Sequence, residues 1–276
     1  MKAIFAILLL TPLLHGQTPG ALETFTEQDN GESWGLYDYA DGETYNASWD
    51  LFESNNPEVF ATFIQGFGVS LFADDLASEA AFVGDYAAAG IDVVACDAYV
   101  EDFESFDVLE FYFVSDGIFY YSDYIGVPGA GWTFISNSFS KDQWFLYDTS
   151  EDIFIEVELT ETILSQVTEI GVNFFPLSED ADGMAVALDN FTILPDLTPP
   201  TLTVTPSTEE VSISFERAAG ISYNLETSTS LETNGWTGID GDTSEITGDD
   251  EYEITTSAQT KAFFRVTTTP IFVEVP

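Results

Sequence analysis

The chain has 276 residues, with 49 Asp and Glu against 5 Lys and Arg, a formal net charge of −44, and 45% hydrophobic and 15% aromatic residues. That field excludes nucleic acid as a partner, because phosphate binding depends on Lys and Arg to release counterions. The apolar content excludes an intrinsically disordered chain, and the self-repulsion suits a salty medium that screens it.

From the N-terminus, Lys2 precedes an apolar run over 3–14 that closes on Gly16, the layout of a signal peptide spanning 1–16. The run is broken by Thr11-Pro12 and is too short to cross a bilayer of about 30 Å as a helix. No Cys follows it to accept a lipid, so a mature chain from Gln17 is expected to be secreted or held at the cell surface without membrane insertion. The single Cys96 cannot form an internal disulfide and reads as a small buried apolar residue in a β-like segment. The only His is His15, inside the segment expected to be removed, so Cys-His, Ser-His-Asp and His-ligated zinc chemistry are excluded together. Carboxylate chemistry, or none, remains.

Strand signals then follow at 59–64, 68–72, 93–99, 108–114, 118–124, 144–147, 167–175 and 186–194. Alternation is clearest at 153–159, where Ile153, Ile155, Val157 and Leu159 share one face. Asp116-Gly117 between two strands is a two-residue hairpin turn, and only 76–82, after Asp75 as N-cap, reads as a helix. Segment 136–141, between Trp132 and Trp144, reads as a loop. Short strands with frequent polar turns predict an all-β chain of two packed antiparallel sheets over 17–194. Three prolines within 195–200 mark a stiff linker, and 201–276 holds a second, smaller set of strands.

Two stretches carry a resemblance. The run Phe82-Val83-Gly84-Asp85-Tyr86-Ala87-Ala88-Ala89-Gly90-Ile91, with Val167-Thr168-Glu169-Ile170-Gly171-Val172 and Leu188-Asp189-Asn190-Phe191-Thr192-Ile193, resembles bacterial exported jelly-roll domains of the galactose-binding-like and laminin-like kind. Tyr223-Asn224-Leu225-Glu226-Thr227-Ser228, with Leu231, Trp236 and Phe263-Phe264-Arg265-Val266, is similar to the fibronectin-III-like C-terminal domain of exported proteins of marine Verrucomicrobia and Planctomycetes. The resemblance implies a jelly-roll β-sandwich followed by a smaller fibronectin-III-like or Ig-like sandwich. It implies no catalytic residue and no particular ligand.

Three candidate sites compete. Glu156, Glu158 and Glu161 fall on one strand as sandwich-fold glycosidase acids do, but the central position holds Glu rather than Asp and no Trp closely precedes it. Ser178, Asp180, Asp182, Gly183 and Asp189 follow a calcium-loop-like spacing, and Glu27, Asp29 and Glu32 could complete a structural Ca²⁺ site that pins the first and last strands. Trp34, Tyr37, Tyr39, Trp132 and Trp144 are candidate ligand-binding aromatics, since flat rings cover the CH faces of sugars while nearby polar groups fix hydroxyls. The sequence therefore points to a non-catalytic exported module that binds glycan or extracellular matrix, with Ca²⁺ as the candidate structural cofactor. The rival classes are a carboxylate glycosidase and a purely structural cell-surface component.

Overall fold

The computed structural model describes residues 17–25, 34–40, 42–46, 60–63, 68–101, 108–126, 129–148, 150–151, 153–176, 184–196, 200–207, 210–216, 221–229, 236–239, 251–257 and 262–274. Its strands are β1 (Ala21–Glu23), β2 (Gly35–Asp38), β3 (Glu43–Asn46), β4 (Phe60–Phe63), β5 (Val69–Ala73), β6 (Ile91–Val100) and β7 (Val108–Ser115). They continue with β8 (Ile118–Ser122), β9 (Ile125–Gly126), β10 (Gly131–Ser138), β11 (Trp144–Asp148), β12 (Ile153–Val157), β13 (Val167–Phe175) and β14 (Ala185–Pro195). The C-terminal strands are β15 (Thr203–Pro206), β16 (Glu210–Glu216), β17 (Ile221–Ser228), β18 (Thr237–Gly238), β19 (Glu251–Ser257), β20 (Phe263–Pro270) and β21 (Val273–Glu274).

The chain is an all-β sandwich protein, as the strand pattern predicts. One sheet of six strands runs β10-β6-β14-β1-β21, with β4 also on β14, and a nine-stranded sheet runs β12-β11-β8-β7-β13-β5-β2-β3, with β9 on β7. Their facing sides meet in one core, to which Leu71, Phe111, Phe113, Val172 and Phe174 contribute from the larger sheet and Val94, Cys96, Leu188 and Ile193 from the smaller. Cys96 is buried and free, as expected, and burial pushes its thiol well up. Two further sheets, β15-β16-β19 and β18-β17-β20, enclose a small core of Ile213, Phe215, Ile221, Tyr223, Leu225, Ile239 and Val266. Strand β21 does not join these two: Val273 pairs in parallel with Ala21 at the edge of the six-stranded sheet.

Local chemistry explains where the turns fall. Asp116 and Gly117 both have positive φ, 51° and 74°, the conformation a two-residue type I′ hairpin needs, and Ser115 pairs Ile118 across it. The helix expected at 76–82 is instead a single 3₁₀ turn at Ala77–Ala80, opened by the Asp74 carboxylate accepting the Leu76 N–H at 2.8 Å, not by Asp75. The α-helical turns lie elsewhere, at Tyr86–Ala89 and Glu161–Leu164, capped by the side chains of Asp85 and Thr160. Segment 136–141 is a loop only from Phe139 on, because Gly131–Ser138 is a strand paired along its length with β6. Its Ser, Thr and Asn content hid a period-two pattern.

Candidate functional site

Strand geometry sends successive side chains to opposite faces. In β7, Leu109, Phe111 and Phe113 enter the core, so Glu110, Tyr112 and Val114 point to the outer face of the nine-stranded sheet. Strand pairing extends that face. Asn173 lies opposite Glu110 and Ser70, Gly171 opposite Tyr112 and Phe72, and Tyr121 opposite both Tyr112 and Phe145. An outer face that only met water would be polar. Here it is lined by rings.

The rings form two groups in contact. Tyr37 meets Tyr39 edge-on at 4.9 Å, and Tyr39 meets Phe175 at 5.1 Å. Across the sheet, Tyr112 and Tyr121 each stack on or tilt against Phe119 within 6.3 Å, Tyr121 meets Phe154 at 5.7 Å, and Phe154 meets Tyr147 at 5.1 Å. Between the groups runs a trough with two adjoining hollows of about 370 and 400 Å³ that share Tyr39 and Tyr121. Phe119 and Phe154 are 45% and 49% exposed, a large apolar area for the open face of a sheet.

The floor of the trough is a polar network. Asn173 Nδ2 donates to Glu110 Oε1 at 2.7 Å, while Asn173 Oδ1 accepts from Ser70 Oγ at 2.5 Å. The Tyr39 hydroxyl lies 3.0 Å from Ser70 Oγ and 3.4 Å from Asn173 Oδ1. Tyr112 donates its hydroxyl to Glu169 Oε1 at 2.8 Å. Burial pushes the Glu110 carboxyl up to about 7, against the lowering effect of the Asn173 hydrogen bond, and it raises Glu169 as well. Tyr39 is pushed up to about 12 for the same reason, and Tyr121 is raised by burial and by its charged neighbours Glu110 and Glu169. These phenols stay protonated and can donate. Asp123 and Tyr124 join Glu110, Phe145 and Phe154 around a third, smaller hollow.

Only part of the sequence-derived site is found on this face. Tyr37 and Tyr39 stand at one side of the trough. Trp34 and Trp144 are core residues, 0% and 1% exposed, whose indole N–H groups donate to Ser78 Oγ and to the Ser138 carbonyl, and neither borders the trough; Trp144 borders a separate hollow of about 580 Å³. An indole in a dry core needs a partner for its N–H, and both positions supply one. Trp132 is exposed beside Tyr99, but on β10 of the other sheet, so it does not join Tyr37 and Tyr39. Glu156, on the outermost strand, accepts from Gln143 Nε2 at 3.1 Å and borders with Glu158, Lys141 and Trp144 the separate hollow of about 580 Å³, while Glu161 is exposed outside it. The candidate calcium ligands Asp180, Asp182, Glu27 and Asp29 lie outside the described residues. Asp189 sits on β14 directly opposite Asp97. No group of three or more ligating side chains gathers among the described residues.

The residues that the sequence reading missed are Glu110, Tyr112, Tyr121, Phe154 and Glu169. One signal was available. Residues 108–114 are apolar or aromatic at every position except Glu110, so a strand buried on both faces had to place one acid among rings.

No protein-family model matches the chain, and no curated protein matches it. Among solved structures it is similar to PfGH50B, with a TM-score of 0.36 and 12% identity over 52% of this chain and 21% of that one. It is similar too to a beta-1,2-glucanase from Parabacteroides distasonis (TM-score 0.32, 9% identity, 88% of this chain and 36% of that one). A third is the binding domain of botulinum neurotoxin DC, solved in complex with rat synaptotagmin II (TM-score 0.31, 8% identity, 83% of this chain and 67% of that one). The chain thus spans about a fifth and about a third of the length of the first two. The likenesses are distant, and no residue or role is carried over from them.

Proposed function

We propose that the outer face of the nine-stranded sheet binds a glycan, and that the protein is an exported binding module rather than an enzyme. The observation that carries this reading is the run of partly exposed rings laid over the Ser70–Asn173–Glu110 network. A sugar chain has apolar CH faces and a rim of hydroxyls, so rings cover the first while the phenol and carboxyl groups that line the trough, held in place by Asn173, satisfy the second. Matrix proteins would be expected to press a broader, drier patch onto the face, with the acids kept to its rim.

A hydrolytic reading has one observation in its favour, the buried Glu110, its carboxyl pushed up to about 7, in a hollow it shares with Asp123. Glycosidases use two carboxyls whose environments push their proton affinities apart. Directly across the strands, however, Glu110 faces Asn173 rather than a second acid. Binding without turnover is therefore the expected outcome. Affinity electrophoresis of the whole chain in gels cast with soluble polysaccharides should show retardation by at least one of them, and Tyr121→Ala and Phe154→Ser should each weaken it about tenfold, in line with one lost ring of roughly 1–3 kcal/mol. Release of reducing ends that disappears in Glu110→Gln would replace the binding reading by the hydrolytic one.

A further inference from the structure

We infer that the glycan held on this face is an uncharged polymer, not a uronate-rich or sulfated one; the inference rests on the reading of the face as a glycan site. The charged side chains that line the trough and its side hollow are Glu110, Glu169 and Asp123, all acidic. None of the described lining residues is Lys or Arg. The two described cations are engaged elsewhere. Lys141 Nζ binds Asp196 at 2.8 Å and lies 3.9 Å from Asp92, while Arg265 binds Glu226 on β17 and stacks over Trp236 at 4.4 Å.

An anionic sugar would bring a carboxylate or sulfate into a hollow whose own ionisable groups share its sign and are already poorly solvated. Bringing the pair together in a medium less polarisable than water raises the cost of both charges, and no cation among the described lining residues offsets it. Hydrogen-bond polarity gives the same answer independently of net charge. Glu169, and Glu110 once it ionises above about pH 7, offer acceptor oxygens, which suit the O–H donors of a neutral sugar, whereas an anionic substituent would offer acceptors to acceptors. The Tyr112 hydroxyl is already committed to Glu169, and the Tyr39 and Tyr121 phenols that remain as donors carry no positive charge to offset an anion. At long range the formal charge of −44 repels a polyanion as a whole, so a fair comparison is made in salt high enough to screen that field.

The experiment uses the whole chain in 1 M NaCl and pairs of polymers that share a backbone and differ in charge. Hydroxyethyl and carboxymethyl cellulose form one such pair, and neutral and carboxymethylated forms of laminarin and galactomannan form others. Retardation is expected with at least one neutral member, with a loss of tenfold or more in its carboxymethyl partner and in Tyr121→Ala. Phe154→Ser repeats the test at an exposed ring, in case Tyr121→Ala fails to fold. Equal or tighter binding of a carboxymethyl form that still depends on Tyr121 or Phe154 overturns the inference and leaves the glycan site standing. If no polymer of either kind depends on those rings, the site reading fails and the inference with it.

Discussion

At the scale of single residues the face turns on Glu110. It is 2% exposed and its carboxyl is pushed up to about 7, whereas in an unfolded chain a Glu titrates near 4.3. The sign follows from proton counting. Below about pH 4 both states are protonated and the residue costs nothing. Between about 4.3 and 7 only the unfolded chain gives up the proton, so stability falls as pH rises, and above 7 the full penalty, on the order of 3 kcal/mol, is in place. Glu110→Gln keeps an acceptor for Asn173 and removes the ionisable group. Its melting temperature should exceed that of the wild type at pH 8 by several degrees and match it at pH 4; an equal difference at both pH values would mean that Glu110 is not held neutral. The residue was legible only in outline. Sequence alternation puts Glu110 and Phe111 on opposite faces, but only the pairing of β7 with β13 shows that Asn173 is its partner. For Trp34 and Trp144 the sequence is silent on the choice between core and groove, because a ring suits both.

At the scale of elements, strand positions were legible because 167–175 and 186–194 are apolar-rich runs bounded by polar turns, and the Asp116-Gly117 turn carries its own conformational signature. Sheet order was not, since it depends on which strands of distant sequence meet. The edge strand β12 illustrates the difference. Ile153, Ile155, Val157 and Leu159 alternate as a core face would, yet Ile153 and Ile155 are 44% and 40% exposed and only Val157 and Leu159 pack on the core. Ordering across β5 and β13 also depends on space. A Cβ on Gly171 would meet the Leu71 carbonyl oxygen at 2.4 Å and Phe72 Cβ at 2.7 Å, so Gly171 lets β13 pass close beneath the Phe72 side chain that supports Tyr112. Gly171→Ala must shift backbone and should destabilise by roughly 1–3 kcal/mol in urea titrations. Gly129→Ala, where a Cβ meets nothing within 4 Å, is the control expected to be near neutral. Equal midpoints for the two variants would show that β5 and β13 can separate without cost.

For the whole molecule the governing quantity is charge. The composition announces it, with 49 acids against 5 basic residues, and the structure adds that some acids are held close together, as where Asp97 on β6 lies opposite Asp189 on β14. Like charges concentrated in a folded chain repel one another more than they do in the expanded unfolded chain, so the native state carries an electrostatic penalty that screening relieves. The range of that repulsion is about 30 Å in 0.01 M salt, comparable to the size of a sheet, and about 3 Å in 1 M salt, less than the spacing of neighbouring strands. Sodium chloride should therefore raise stability steeply at first and then level off as the screening length falls below the distance between neighbouring acids. The denaturant in this test has to be urea, because guanidinium chloride is itself a salt and would screen the charges it is meant to expose. The expected result is a urea midpoint that climbs between 0.01 M and 0.5 M sodium chloride with little change in slope, and that potassium chloride reproduces at equal ionic strength. A midpoint independent of salt would mean that the acids are spread widely enough on the folded surface to be solvated one by one, and that charge does not limit this fold.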